Sequence, residues 1–230
     1  MTPSSVAFFD VDGTLTTRTT LFGFMQYWLK AQGYPDSEYD RRRRKLSAMT
    51  AAGCGREETN RVYYRDMLAG AAVADVDRAG RDWFARALAQ GGFFRADVVD
   101  ILHCHRARGR TVVLVTGSFH ALVQPIAAHL GVTEFWSSAP ERRAGVYTGE
   151  LLCPPMIGDR KREAVEATAA MFGAGLGDCF AYGDHYSDLP MLAAVGHPGI
   201  VPGEPRLEAH ARAMEWSLLP ESRLPDGTPS

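Results

Sequence analysis

The sequence predicts an α/β protein: a parallel sheet with helices on both of its faces. Three observations carry this reading. Apolar runs too short for helices, Val6–Phe9, Thr111–Val115 and Cys179–Tyr182, recur along the chain and read as strands buried on both faces. Segments with helical spacing separate them, and strands alternating with helices are the pattern of a parallel sheet. Each run also ends in polar groups: Asp10 and Asp12, then Thr116 and Ser118, then Asp184 and Asp188. In open parallel sheets ligands bind beyond the carboxyl ends of the strands, so these six groups are expected to converge at one edge.

The elements follow in order. After the first strand, Leu21–Leu29 is apolar and aromatic at helical spacing, and Gly33-Tyr34-Pro35 breaks it. Tyr39–Met49 reads as a basic helix containing Arg41–Lys45, a solvated face by composition. Glu57–Leu68 and Val76–Leu88 read as amphipathic helices, with Asp75 as the N-cap of the second. Nothing from Thr17 to Gln90 resembles a strand, so residues 17–94 are expected to form an all-helical insertion, and residues 1–16 with 95–230 the α/β core. Gly91-Gly92 marks the exit. Ala96–Arg108 is the next helix, then the strand from Thr111, a helix over His120–Leu130, an apolar patch at Phe135-Trp136 and a hairpin around Gly145 and Gly149. A helix over Arg160–Phe172, the third strand, a short helix at Leu189–Ala194, a strand near Gly199–Val201 and a helix over Pro205–Met214 complete the pattern. The Pro/Ser-rich stretch from Pro220 to Ser230 is expected to fray.

Composition narrows the function classes. With 230 residues and 46% hydrophobic content the chain can bury a sizeable core. A net charge of -2 argues against a general nucleic-acid binder, which needs a basic face. No apolar run is long enough to cross a bilayer and no leader pattern opens the sequence, so a cytoplasmic protein without a membrane partner is expected, as monomer or homodimer. Cys54, Cys104, Cys153 and Cys179 show no paired spacing, which suggests neither a zinc site nor a redox pair. The glycines of Gly173–Gly177 precede a strand instead of following one, so they read as a connection and not a dinucleotide loop.

Asp10 and Asp12 stand one residue apart at a strand end, and carboxylates that close repel unless a cation sits between them. The ordered set Asp10-Val11-Asp12-Gly13-Thr14, Thr116-Gly117 after a strand, Lys161 in Gly158–Lys161, and Gly183-Asp184 followed by Asp188-Leu189-Pro190 resembles the haloacid-dehalogenase-like hydrolase superfamily. The resemblance is to the branch that includes phosphoserine phosphatases, with a Rossmann-like core and a helical cap after the first motif.

That resemblance implies a phosphatase of small phosphorylated metabolites. Asp10 would be the nucleophile, forming an aspartyl-phosphate, and Asp12 the general acid and base. Mg²⁺ would be held by the Asp10 carboxylate, the Asp12 backbone carbonyl and the Asp184 carboxylate, with waters. The Thr116 hydroxyl and Gly117 amide would bind a phosphoryl oxygen, Lys161 would balance charge, and Asp188 would anchor Lys161 or a water. Phosphoserine phosphatases carry a Glu shortly after the first motif for the substrate ammonium. Thr19 stands at about that place here, which favours a hydroxylated or sugar-like phosphate. Arg56 is a candidate for a second anionic group, and Ser118 and His185 are further candidate substrate contacts. A phosphotransferase or mutase using the same aspartyl-phosphate is the alternative. A non-catalytic binding protein is disfavoured because Asp10, Asp12, Lys161, Asp184 and Asp188 are all present.

Overall fold

The structure is a computed structural model and describes residues 5–219. The chain runs β1 (Val6–Phe9), α1 (Thr20–Ala31), α2 (Asp36–Ala51), α3 (Arg56–Leu68), α4 (Val73–Ala89), α5 (Ala96–Ala107), β2 (Thr111–Phe119) and α6 (His120–Leu130). It continues through β3 (Glu134–Ser138), β4 (Pro140–Arg143), β5 (Val146–Leu151), α7 (Asp159–Met171), β6 (Phe180–Gly183), α8 (Leu189–Leu192), β7 (His197–Ile200), α9 (Pro205–Ala213) and β8 (Ser217–Leu218). Six strands form one parallel sheet in the order β3-β2-β1-β6-β7-β8, and β4 and β5 form a separate antiparallel hairpin.

Strand β1 shows why the sheet is covered on both sides. Successive side chains on a strand point to opposite faces. Val6 and Phe8 pack with Val113, Val115, Val165 and Ile200 on one side, while Ala7 and Phe9 pack with Leu114, Leu102 and Leu122 on the other. All four residues are buried, so an uninterrupted apolar run, and not an alternating one, is what this position requires. Because β2 and β6 flank β1, with Phe9 level with Leu114 and with Tyr182, the three strand ends that carry polar groups are neighbours.

The four helices α1 to α4 lie between β1 and α5 in the chain, and the two linkers joining them to the sheet run side by side. Thr17 N–H donates to the Phe93 carbonyl at 2.9 Å, and Arg95 N–H to that of Leu15 at 2.9 Å. Helix α4 buries Val76, Ala79, Gly80, Trp83 and Phe84, a stripe at helical spacing. It lies directly on α6: a Cβ on Gly80 would stand 2.3 Å from the Ala121 carbonyl oxygen. Pro125, inside α6, has no N–H to donate to that carbonyl four residues earlier. Trp83, Phe93, Phe24, Phe119 and Leu122 then join the helices and one sheet face in a single apolar cluster.

The hairpin ties the other end of the helices down. Gly70 N–H donates to the Tyr147 carbonyl at 2.8 Å, Tyr147 N–H to Ala71 at 2.9 Å, and Val73 N–H to Gly145 at 2.9 Å. Gly149, inside β5 instead of at the turn, has φ +92°, and a Cβ there would lie 2.9 Å from the Ala69 side chain.

Several elements differ from the sequence reading. Strand β2 continues through Thr116-Gly117-Ser118 to Phe119, with its pairing to β3 shifting register between Thr116 and Phe119. The Phe135-Trp136 patch is strand β3. The basic helix starts earlier, at Asp36, where Pro35 sets the entry and Asp36 and Glu38 suit the first turn. Asp75 is not the N-cap of α4; Ala72 is, and Asp75 pairs with Arg78. Strand β8 went unanticipated because two residues carry no period. The stretch from Pro220 onward lies outside the described residues. No helix among the described residues is long and apolar enough to cross a membrane.

Candidate active site

Asp10 leaves the end of β1 with its N–H bound to the Tyr182 carbonyl at 2.9 Å, and its carboxylate turns into a pocket. Lys161, near the start of α7, is only 2% exposed and reaches the same point. Its amine lies 2.5 Å from Asp10 Oδ1 and 2.7 Å from Asp188 Oδ1. Burial works against the charged amine, but the two carboxylates outweigh it and hold the lysine above its ordinary range.

Asp184, just past β6, accepts the Thr14 hydroxyl at 3.0 Å. Gly13 passes beneath it with φ +86°, and a Cβ there would fall 2.2 Å from Asp184 Oδ2, so any side chain would displace the carboxylate. Asp188 closes the turn after β6: its Oδ2 accepts the His185 N–H at 3.2 Å while Oδ1 holds Lys161.

Asp10, Asp184 and Asp188 each offer a carboxylate oxygen within 4.8 Å of the others. Against these three acids stands one amine, which leaves an excess of negative charge in a largely buried place. Burial raises the Asp10 carboxyl well above the usual range against the pull of Lys161, and Asp188, Asp184 and Asp12 add to the rise. Burial, then Asp188, pushes Asp184 up to about 6. Such a set of hard oxygens short of positive charge fits a divalent cation such as Mg²⁺.

Asp12 lines the same pocket. Its Oδ1 accepts the Thr20 backbone N–H at 2.7 Å, and its Oδ2 lies 3.1 Å from the Thr20 hydroxyl. Burial raises its pKa, opposed by those two bonds.

The remaining candidates divide. Gly117, Arg56, Thr19 and His185 line the pocket, a cavity of about 430 Å³. A Cβ on Gly117 would lie 3.0 Å from Ile157, and its carbonyl accepts the Tyr64 and Ser138 hydroxyls at 2.7 and 2.8 Å. Arg56 donates to the Ser187 hydroxyl at 3.1 Å across the pocket mouth. His185 accepts the Ser187 N–H at Nδ1 and is kept neutral by burial and by Arg56, so it shapes the turn after β6. Thr116 is fully buried and its hydroxyl oxygen accepts the Ser118 N–H at 3.1 Å. Ser118 does not reach the pocket: it is fully buried and meets Thr20 at 3.0 Å, because β2 continues past the motif and turns this side chain inward.

Two groups were missed from sequence. Thr20, hidden at the head of an apolar helix, holds Asp12; its only signal was a hydroxyl pair, Thr19-Thr20, where one cap would do. Tyr64 supports Gly117 from α3 and carried no signal beyond core aromaticity.

A family model of haloacid dehalogenase-like hydrolases matches residues 7–193, spanning both aspartates of the first strand end, Lys161 and the Asp184–Asp188 turn. The chain belongs to the haloacid dehalogenase-like hydrolases. Among relatives of this hydrolase, a Mycobacterium tuberculosis protein named "Probable phosphatase" is 31% identical over 95% of this chain and 76% of its own length. The phosphoserine phosphatase SerB1 of the same organism is 29% identical over 94% of this chain and 70% of its own. A crystal structure of a Bordetella pertussis Tohama I protein of unknown function superposes with a TM-score of 0.84 at 26% identity, over 95% of this chain and 99% of that one. A substrate-bound phosphoserine phosphatase superposes with a TM-score of 0.70 at 19% identity, over 96% and 95% of the two chains, a likeness of fold.

Proposed function

We propose that this hydrolase is a Mg²⁺-dependent phosphomonoesterase of a small phosphorylated metabolite, working in the cytoplasm through an aspartyl-phosphate on Asp10. The observation that carries it is the convergence of Asp10, Asp184, Asp188 and Lys161 at the carboxyl edge of the sheet, with Asp12 lining the same pocket. The names of the relatives support the same chemistry.

Asp10 is the carboxylate placed to attack, and transfer of the phosphoryl group to it divides one hard step into two. The Asp10 and Asp184 carboxylates and the Asp12 carbonyl, with Asp188 beside them, would hold Mg²⁺, which when bound would supply charge neutralisation for an anionic substrate meeting an anionic nucleophile. Lys161 adds a fixed positive charge beside Asp10 that needs no reorganisation during transfer. Asp12 protonates the leaving oxygen and then takes a proton from the water that attacks the intermediate. Burial raises its pKa, the direction an acid catalyst needs. Gly117 lines the pocket from the β2 side and binds a phosphoryl oxygen there, whereas Thr116, expected to share that role, is fully buried with its hydroxyl on the Ser118 N–H and does not line the pocket.

Residues 17–94 act as a cap over this edge, and their contribution to the pocket bears on the substrate. The acids lining the pocket are Asp10, Asp12, Asp184 and Asp188, all at the phosphate end. The cap contributes apolar residues with Thr19, Thr50, Arg56, Thr59 and Asn60, and no carboxylate. An ammonium-bearing substrate such as phosphoserine therefore finds no ion-pair partner there, whereas hydroxyl groups and a second anionic group find polar and cationic ones.

Phosphate release from an aryl phosphate tests the reading. Release should require added Mg²⁺, and Asp10→Asn should lower it on the order of 10⁴-fold or more while the variant still folds, as its circular dichroism spectrum would show. Unchanged release by the variant removes Asp10 as nucleophile. A panel of phosphorylated metabolites then ranks substrates.

A further inference from the structure

We propose that Thr20, backed by Ser118, is a positioning residue that aims the Asp12 carboxyl at the leaving-group oxygen. The inference rests on the phosphatase reading and deepens it.

Both oxygens of Asp12 are engaged by one residue, the backbone N–H at 2.7 Å from Oδ1 and the hydroxyl at 3.1 Å from Oδ2. Two bonds to the two oxygens of a carboxyl fix its torsion as a single bond cannot. Thr20 is the first residue of α1, where backbone N–H groups lack partners within the helix. The residue before it, Thr19, makes no capping bond with its side chain. Asp12, eight positions upstream, satisfies the α1 terminus instead, so the first cap helix is docked on the acid itself.

The hydroxyl is linked further inward. Thr20 Oγ1 lies 3.0 Å from Ser118 Oγ, and both residues are fully buried. Each hydroxyl donates one proton and accepts others. When Asp12 is ionised, Ser118 donates to Thr20 and Thr20 to Asp12. A buried Thr–Ser pair serving packing alone would have no need to meet a carboxyl in the pocket.

The test separates aim from stability through the leaving group. A series of para-substituted phenyl phosphates runs from nitrophenolate, which departs without a proton, to phenolate, which benefits from one. The quantity read is kcat/KM, which reports phosphoryl transfer to Asp10 and not the later hydrolysis. Thr20→Val keeps shape and backbone N–H and removes the hydroxyl. It should lower kcat/KM by about 10-fold or more for phenyl phosphate and by less than about 3-fold for p-nitrophenyl phosphate, within the range of general acid catalysis. Thr20→Ser should restore the shallow dependence. Should Thr20→Val fail to fold, Ser118→Ala removes the far end of the same chain and is read in the same way. Equal losses across the series, or no loss, overturn the inference while leaving the phosphatase reading standing. A wild-type protein inactive on every member overturns both.

Discussion

The polar groups on the sheet side of the pocket are held by partners far along the chain: Lys161 bridges Asp10 and Asp188, and Thr14 reaches Asp184 across 170 positions. On the cap side three polar side chains turn back onto their own helices. The Thr50 hydroxyl donates to Leu46 at 3.2 Å, that of Thr59 to Gly55 at 3.1 Å, and the Asn60 amide to Arg56 at 3.0 Å. The sheet side is therefore fixed by the whole fold, so a change there propagates into the core. The cap side can be rewritten one residue at a time, which is how one chemistry is fitted to different leaving groups.

Stability sets the two sides apart most sharply. Lys161→Met removes the amine and leaves Asp10 and Asp188 buried together, which should cost about 3–5 kcal/mol. Lys45, on α2, pairs with Asp66 at 2.5 Å with its side chain 47% exposed, and Lys45→Met should cost at most about 1 kcal/mol. Urea unfolding in the presence of a chelator measures both, and equal costs would erase the distinction.

The sheet side also has a support layer with its own pH dependence. His105, behind β6, accepts from Arg110 at Nδ1 (3.1 Å) and meets the Tyr182 hydroxyl at Nε2 (2.8 Å). Burial, then Arg110, lowers its pKa from 6.5 to about 4. The native state refuses a proton that the unfolded chain accepts, so this contribution is complete above pH 6.5 and is lost as pH falls towards 4. At full extent it is about 3 kcal/mol. Unfolding free energies of wild type and His105→Gln should run parallel above pH 7 and converge below about 6; curves that stay parallel throughout exclude the histidine.

The smallest expected effect lies on the cap. Arg56→Ala should raise KM about 10-fold for a substrate with a second anionic group and leave kcat within about 2-fold, because the contact is the same in ground and transition states. An equal fall in kcat would move Arg56 to the reacting side.

How much of this was legible differs between the same two sides. Asp10, Asp12 and Asp184 could be read because strand ends in a parallel sheet must meet, and a sequence reports where strands end. Lys161 could not be read from its surroundings: Arg160-Lys161-Arg162 and Arg41–Lys45 are both basic stretches in helices, yet one lysine is buried and the other run is solvated. Only the ordered motif set separated them. Ser118 was expected to face substrate because the apolar run ends at Val115, whereas β2 continues four residues further, to Phe119, and makes Ser118 an inward-facing strand residue. Thr20 went unseen because its role depends on a carboxyl eight residues earlier and a serine 98 positions later, neither of which leaves a local period.

The hairpin after β3 bears on how anything reaches Asp10. Swinging α3 and α4 away from the sheet would break the backbone bonds of Gly70, Ala71 and Val73 to the hairpin and pull Tyr64 off Gly117. At the start of α3 an exposed arginine–serine bond joins the helices to the turn after β6. The molecule is thus stitched at the hairpin and merely buttoned at the start of α3, and traffic to Asp10 has its easier road through the buttoned side.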